Sequence, residues 1–468
     1  MPIEKVLTIG PGAGIDAGVY PSAEDTVGGW ADARNAWFRE LDVQHMPGQV
    51  KIANTLARQS QAMAQAYVGG KKRLYFEDGG IISYTEDGGG SNVIGTLDAA
   101  STSYWLEPWG DWLIASDGVN QLKLWKNTGT FIDIAIGQFV TAKIVKKLAQ
   151  HVIAYSTNVY PNGFHWCSAS DVETWTPSSV NSARNLPIRN LDSDIIAVAD
   201  LGANHAIYSR AYMLQNQYLG PNDWFGTPAN ALSGIGAVSR YSVVSLGRYN
   251  WGLCRGGVFQ TDGNSFIYVD RPAIDRWVQE NIDWNRETEI VGYFDNKLLL
   301  ILWSVPVVGG TKTIIAVDPK DRQMLTDRAK RPFTFATGDY GAALAAQVLD
   351  YPVVARADGI FSASVTGTVM GDFFLQGGLY DAGANDRLKT WEMAKFEGTI
   401  EGAKVRFGYT DEPYLDTVQW LDWAPMTFEF PLPGGPRESI YLAVEFKSTE
   451  AFKLARMVMY GYGAGAAT

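Results

Sequence analysis

Hydrophobic and polar positions along this chain alternate in short runs broken by glycine, and the three-and-four spacing of amphipathic helices is scarce. Six Asp-Gly or Asn-Gly pairs punctuate the pattern: Asp78-Gly79, Asp87-Gly88, Asp117-Gly118, Asn162-Gly163, Asp262-Gly263 and Asp358-Gly359. Such pairs suit turns that need positive φ, and short β-prone runs flank several of them. The pattern predicts strands joined by tight hairpins.

Aligning these hairpins gives a loose repeat. Units of an apolar strand, a turn and a second strand begin near residues 72, 111, 151, 206, 251, 297 and 353, at spacings of 39, 40, 55, 45, 46 and 56. A four-stranded propeller blade takes ~40–50 residues. The expected fold is therefore all-β: a β-propeller of about seven blades, with six to eight compatible with the same spacing. A mixed β-protein with ordinary hairpins is the plainer alternative.

Two segments stand outside the repeat and set the expected domains. Residues 1–66 form an N-terminal arm and first strands, residues 67–365 the propeller, and residues 366–468 a C-terminal antiparallel β-sandwich. The last assignment rests on period-two alternation at 403–409, 426–430 and 441–447, which gives sheets one wet face. A helix is expected over 272–282, where Pro272 sits in the first turn and Ile274, Trp277, Val278 and Ile282 share a face. A second is expected over 52–67.

Composition sharpens this picture. Of 468 residues, 49 are glycine and 12% are aromatic, so turns and sheet faces use the two enriched classes. The formal net charge of −11 disfavours a general nucleic-acid binder, which needs a Lys/Arg surplus. Two cysteines, Cys167 and Cys254, exclude a disulfide framework. No basic-then-apolar leader opens the chain, and the longest apolar run, 298–308, is half the ~20 residues of a spanning helix. These features predict a soluble protein made in a cytoplasm, with no membrane-spanning segment.

Candidate chemistry is sparse. Gly10, Gly12 and Gly14 imitate a dinucleotide loop, but no helix pattern follows and a glycine-rich arm fits better. His165 and Cys167, two apart on a strand, share a face and form the one candidate nucleophile pair, beside Phe164 and Trp166, which favour packing. His45 has Asp42 nearby but lacks a third ligand. Residues 168–175 resemble the Asp-box turn of sialidase-type propellers, with Asp171 and Trp175 in place and Val172 where glycine is usual. Convergence of Arg184, Arg189, Arg240 and Arg255 on a glycan carboxylate is the arrangement a glycosidase of that type requires. The charge runs 320–322 and 327–331 read as solvated loops. No catalytic, cofactor-binding or metal residue is assigned, no cofactor is expected, and the interface residues are left open.

Three segments together resemble a known family. Residues 30–39, followed by Met46-Pro47-Gly48, are similar to an N-terminal signature in which Asn-x-x-Phe-Arg leads into the first blade; here these are Asn35, Phe38 and Arg39. Residues 164–175 resemble a blade of the same proteins, and 399–409, 441–446 and 457–462 their closing sandwich. The family is the tail nozzle proteins (tail tubular or packaged-DNA-stabilising proteins) of short-tailed bacteriophages. The resemblance implies a virion protein without enzymatic activity, a homohexameric ring below the portal and adaptor that retains the packaged genome and passes it during ejection. It implies as partners the tail adaptor protein, tail fibres or spikes, and double-stranded DNA that passes without sequence-specific binding. An acidic channel wall fits that passage. The competing expectation is a propeller glycan-binding protein or glycosidase acting on host-surface polysaccharide.

Overall fold

The computed structural model describes residues 4–9, 30–38, 42–53, 56–87, 89–189, 191, 193–220, 224–227, 231–269, 273–319, 333–380 and 388–463. Among these, seven four-stranded antiparallel units follow one another along the chain. Blade 1 consists of Met63–Val68, Lys71–Asp78, Ile81–Glu86 and Ser91–Thr96. Blades 2 to 6 open with Trp105–Trp109, Ala142–Leu148, Ala197–Leu201, Val243–Leu246 and Val291–Asp295. Blade 7 takes Ala342–Leu344, Val353–Arg356 and Gly359–Val369 from its own stretch and Pro47–Ala53 from the N-terminal side. The first strands lie innermost and pack side by side, and that of blade 7 returns against blade 1, so the ring is closed. The fold is a seven-bladed β-propeller whose last blade is completed by a strand from the other end of the chain.

The repeat visible in the sequence marks the second strand of every blade. Those strands are sandwiched between neighbouring blades, and every residue of His151–Thr157 and Leu300–Pro306 is buried. Burial on both faces needs a continuous apolar run, which is the strongest signal a strand can leave. Turn chemistry follows the sequence: Gly79 and Gly80 at φ +64° and +89° link the second and third strands of blade 1. Gly163 serves another purpose, because a Cβ there would lie 2.6 Å from the Leu186 carbonyl oxygen of the adjacent strand.

A β-sandwich is fused to blade 6. Trp30–Arg34 runs parallel to Phe333–Thr337 of that blade and antiparallel to Phe373–Gly377, which pairs in turn with Tyr441–Ser448. One ten-stranded sheet therefore spans propeller and sandwich. The facing sheet centres on Lys389–Thr399 and Lys453–Gly463 and includes Glu4–Ile9, Ala36–Phe38 and Val43–His45. Trp30, Phe373, Trp391, Phe396, Phe446 and Phe452 fill the space between the sheets. Both ends of the chain build this body, and the strand at 47–53 then enters the propeller.

Helix forms at Ala273–Asn281, with Ile274, Val278 and Ile282 buried. The helix expected at 52–67 does not form. Ala64, Ala66 and Val68 are buried at every second position of the inner strand of blade 1, so ladder pairing with Lys71–Asp78 overrides the helical propensity of alanine. The strand expected at 426–430 is confined to Glu429–Pro431.

Candidate functional site

The segments that lead into the inner strands converge on one face of the propeller around a cavity of about 770 Å³. All seven blades contribute to its wall, from Gln61 just before blade 1 to Gly341 before blade 7. Its floor is made by residues 240 and 241, which precede blade 5 and reach across the axis to blade 2. Tyr241 stacks on Trp105, with ring centroids 5.5 Å apart and planes 9° from parallel. The Tyr241 hydroxyl donates to the Tyr104 carbonyl oxygen at 3.3 Å. Arg240 donates from Nη1 to the same carbonyl at 2.8 Å and from Nη2 to Ser103 Oγ. Blades 2 and 5 stand on opposite sides of a seven-membered ring, so these two side chains plug the axis and turn the channel into a blind cup.

Charge in the cup is paired with one exception. Lys143 meets Asp194 at 3.4 Å. Lys312 lies 3.6 Å from Glu289 and 3.4 Å from Asp339, and Arg286 holds Glu289 at 2.8 Å. Arg240 has no carboxylate partner among the described residues, and burial pushes its guanidinium below the usual arginine range. Further along the inner strands Lys146 pairs with Asp200 at 2.9 Å, next to Glu107, whose carboxyl burial pushes up.

The candidates read from the sequence scatter. Cys167 Sγ accepts from the Val152 N–H at 3.1 Å, and burial pushes its thiol up to about 12, which removes the thiolate a nucleophile needs. His165 lies between Phe139 at 4.7 Å and Tyr160 at 5.2 Å; burial lowers it to about 4. Its two ring nitrogens have no hydrogen-bond partner among the described residues, so the pair is not a catalytic dyad. His45 faces the carbonyls of Glu450 and Gly371 at 2.8 and 2.9 Å, while Asp42 pairs with Lys453 at 3.0 Å. No group of three or more His, Cys, Asp or Glu among the described residues has the geometry to hold a metal.

The segment 168–175 that resembles an Asp-box is a turn between the third and fourth strands of blade 3. Asp171 Oδ1 accepts from the Glu173 N–H, and buried Trp175 donates to the Val172 carbonyl at 2.7 Å and packs edge-on against Phe139. The four arginines do not converge. Arg184 binds carbonyls of its own loop, Arg189 follows the outer strand of blade 3, and Arg255 joins Arg210 in holding Glu287. Arg240 alone reaches the cup. Its partners Ser103, Tyr104 and Tyr241 belong to no motif; what marks them is their position just before an inner strand, a register that the second-strand repeat leaves unread. Gly10, Gly12, Gly14 and the charge runs 320–322 and 327–331 lie outside the described residues.

No helix among the described residues is long and apolar enough to cross a membrane. No protein-family model matches this sequence, and no curated protein does. Among solved structures, YCF48 from Cyanidioschyzon merolae is similar over 68% of this chain and 98% of its own, at 13% identity and a TM-score of 0.41. PorZ, described as an essential bacterial surface component of the type-IX secretion system of Porphyromonas gingivalis, is similar over 81% of this chain at 10% identity and a TM-score of 0.41. The match spans 46% of PorZ's own length. The propeller described above rests on the strand pairing of this chain itself.

Proposed function

We propose that this chain is a structural virion protein: a tail nozzle subunit that assembles into a homohexameric ring below the portal and adaptor of a short-tailed phage. In that position the ring extends the DNA channel, retains the packaged genome, and carries fibres or spikes. The observation that carries this reading is the continuous ten-stranded sheet in which Trp30–Arg34 welds blade 6 to the sandwich. The segment of the nozzle-like signature thus supplies the joint of a single stiff body, which suits a subunit under load from packaged DNA.

Two further features fit. The propeller axis is plugged by Tyr241 and Trp105, so a DNA lumen would run between subunits and not through one. A closed ring needs a heterologous interface, and exposed Phe428 and Tyr414 on the sandwich are side chains suited to one. The net charge of −11 fits a lumen that DNA passes without adhering.

The test is assembly. Negative-stain images and native mass spectrometry of the purified chain, alone and with its adaptor, should show six-fold rings, and antibodies should label the tail of intact particles. A chain that stays monomeric with its adaptor and never labels particles would end the proposal.

A further inference from the structure

The blind cup carries an inference that does not depend on ring assembly. Its volume of about 770 Å³ lies within the ~300–1,000 Å³ range of small-molecule sites. Its charges decide the sign of a ligand. Lys143 is balanced by Asp194, and Lys312 with Arg286 by Glu289 with Asp339. What remains is one positive charge, Arg240, at the floor. A guanidinium has five N–H groups, more than Tyr104, Ser103 and Tyr241 engage. Those bonds also hold the fork in place, so its orientation is settled before anything binds.

Chemistry of the wall narrows the class. Gln61, Thr102, Ser103, Ser239 and Thr288 supply amide and hydroxyl groups around the cup. Gln61 Oε1 is buried without a hydrogen-bond partner among the described residues, an acceptor that lacks a donor. A planar carboxylate matches the guanidinium fork and cancels a single charge. A phosphate dianion leaves one charge over, beside Asp194 and Glu289. We propose that the cup binds a small, hydroxylated monocarboxylate of the sugar-acid class, its carboxylate on Arg240 and its hydroxyls on the amide and hydroxyl wall.

Calorimetric titration of the full chain tests this with D-glucuronate as probe, D-glucose as its neutral counterpart and glucose 6-phosphate as the dianion. Glucuronate should bind saturably and at least ~10-fold more tightly than either control. Arg240→Met should weaken glucuronate ~10–100-fold while leaving any glucose binding unchanged. Because Arg240 also ties blade 5 to blade 2, a second variant guards against a folding defect. Thr288→Trp, at an exposed position on the rim, should block glucuronate without changing the melting temperature. Glucuronate binding no tighter than glucose, unaltered affinity in both variants, or tighter binding of glucose 6-phosphate would each overturn the proposal.

Discussion

Asn35 and Thr337, 302 residues apart, are joined by two hydrogen bonds. Asn35 Oδ1 accepts from the Thr337 N–H at 2.8 Å and from Thr337 Oγ1 at 3.1 Å, while Asn35 Nδ2 donates to the Asp372 carbonyl at 2.8 Å. One fully buried amide therefore pins the N-terminal strand pair to blade 6 and to the sandwich together. Its backbone is left-handed at φ +53°, a conformation asparagine tolerates better than most residues. This is the asparagine of the Asn-x-x-Phe-Arg pattern, and the geometry gives a physical reason for that residue type.

Replacing Asn35 separates these two roles. Asn35→Ala strands two donors and a carbonyl and adds left-handed strain, so it should cost ~3–5 kcal/mol in a urea denaturation series. Asn35→Gly removes the same hydrogen bonds without the strain and should cost ~1–2 kcal/mol less than alanine. Equal losses in the two variants would show that backbone conformation plays no part.

Much of the propeller was legible because its second strands are buried on both sides. His151–Thr157 and Leu300–Pro306 show up as unbroken apolar runs, and their spacing gives the blade repeat. The outer strands carry little signal; that of blade 2 is only Ile132–Asp133, both exposed. The sandwich was half visible. Residues 404–410 and 441–448 are strands and pair with each other, but 441–446 is buried on both faces where the alternation predicts a wet one. Their neighbours in the same body, 373–377 and 453–463, take partners at 30–34 and 4–9 from the far end of the chain. Local pattern holds no record of a pairing such as Leu7 with Met459. The cup was illegible for the same reason: Arg240 meets Tyr104 across 136 residues, and only ring closure brings them together.

Buried histidines make the fold sensitive to acid. Burial lowers His151 and His165 to about 4 and His205 to about 3, against an ordinary value near 6.5. The unfolded chain therefore takes up protons that the native state refuses as pH drops below ~6.5, and stability falls from there down to the folded values. Denaturation midpoints should decline steadily between pH 6.5 and 4. His165→Phe fits a ring packed between Phe139 and Tyr160 and removes two unpartnered nitrogens. It should be neutral or stabilising at pH 7 and should flatten the acid limb; an unchanged slope would count against His165 as a contributor.

Thiol chemistry offers an independent check on the core of blade 3. Cys167 is fully buried, its sulfur accepts a backbone hydrogen bond, and burial raises its thiol to about 12. Cys254, also buried, is raised by the same cause. Neither should react with a thiol reagent such as iodoacetamide at pH 8 in the native protein, and both should react once urea unfolds it. Fast labelling of Cys167 in the native state would mean that blade 3 opens, since a thiolate forms only after the sulfur leaves its apolar surroundings.

The plug across the axis is the last feature open to direct measurement. Tyr241 contributes a ring stacked on Trp105 and a hydroxyl bonded to the Tyr104 carbonyl at 3.3 Å, and these differ in strength. The hydroxyl makes this long hydrogen bond and the contact with Arg240, so Tyr241→Phe should cost ~1–2 kcal/mol. Tyr241→Ala deletes the ring from the centre of a closed wheel whose inner strands cannot collapse inward, so the void persists and the cost should reach ~3–5 kcal/mol. Loss of the stacked ring should also let water reach Trp105, shifting tryptophan emission to the red in the alanine variant and not in the phenylalanine one. If both variants melt together, the hydroxyl and not the stack closes the channel.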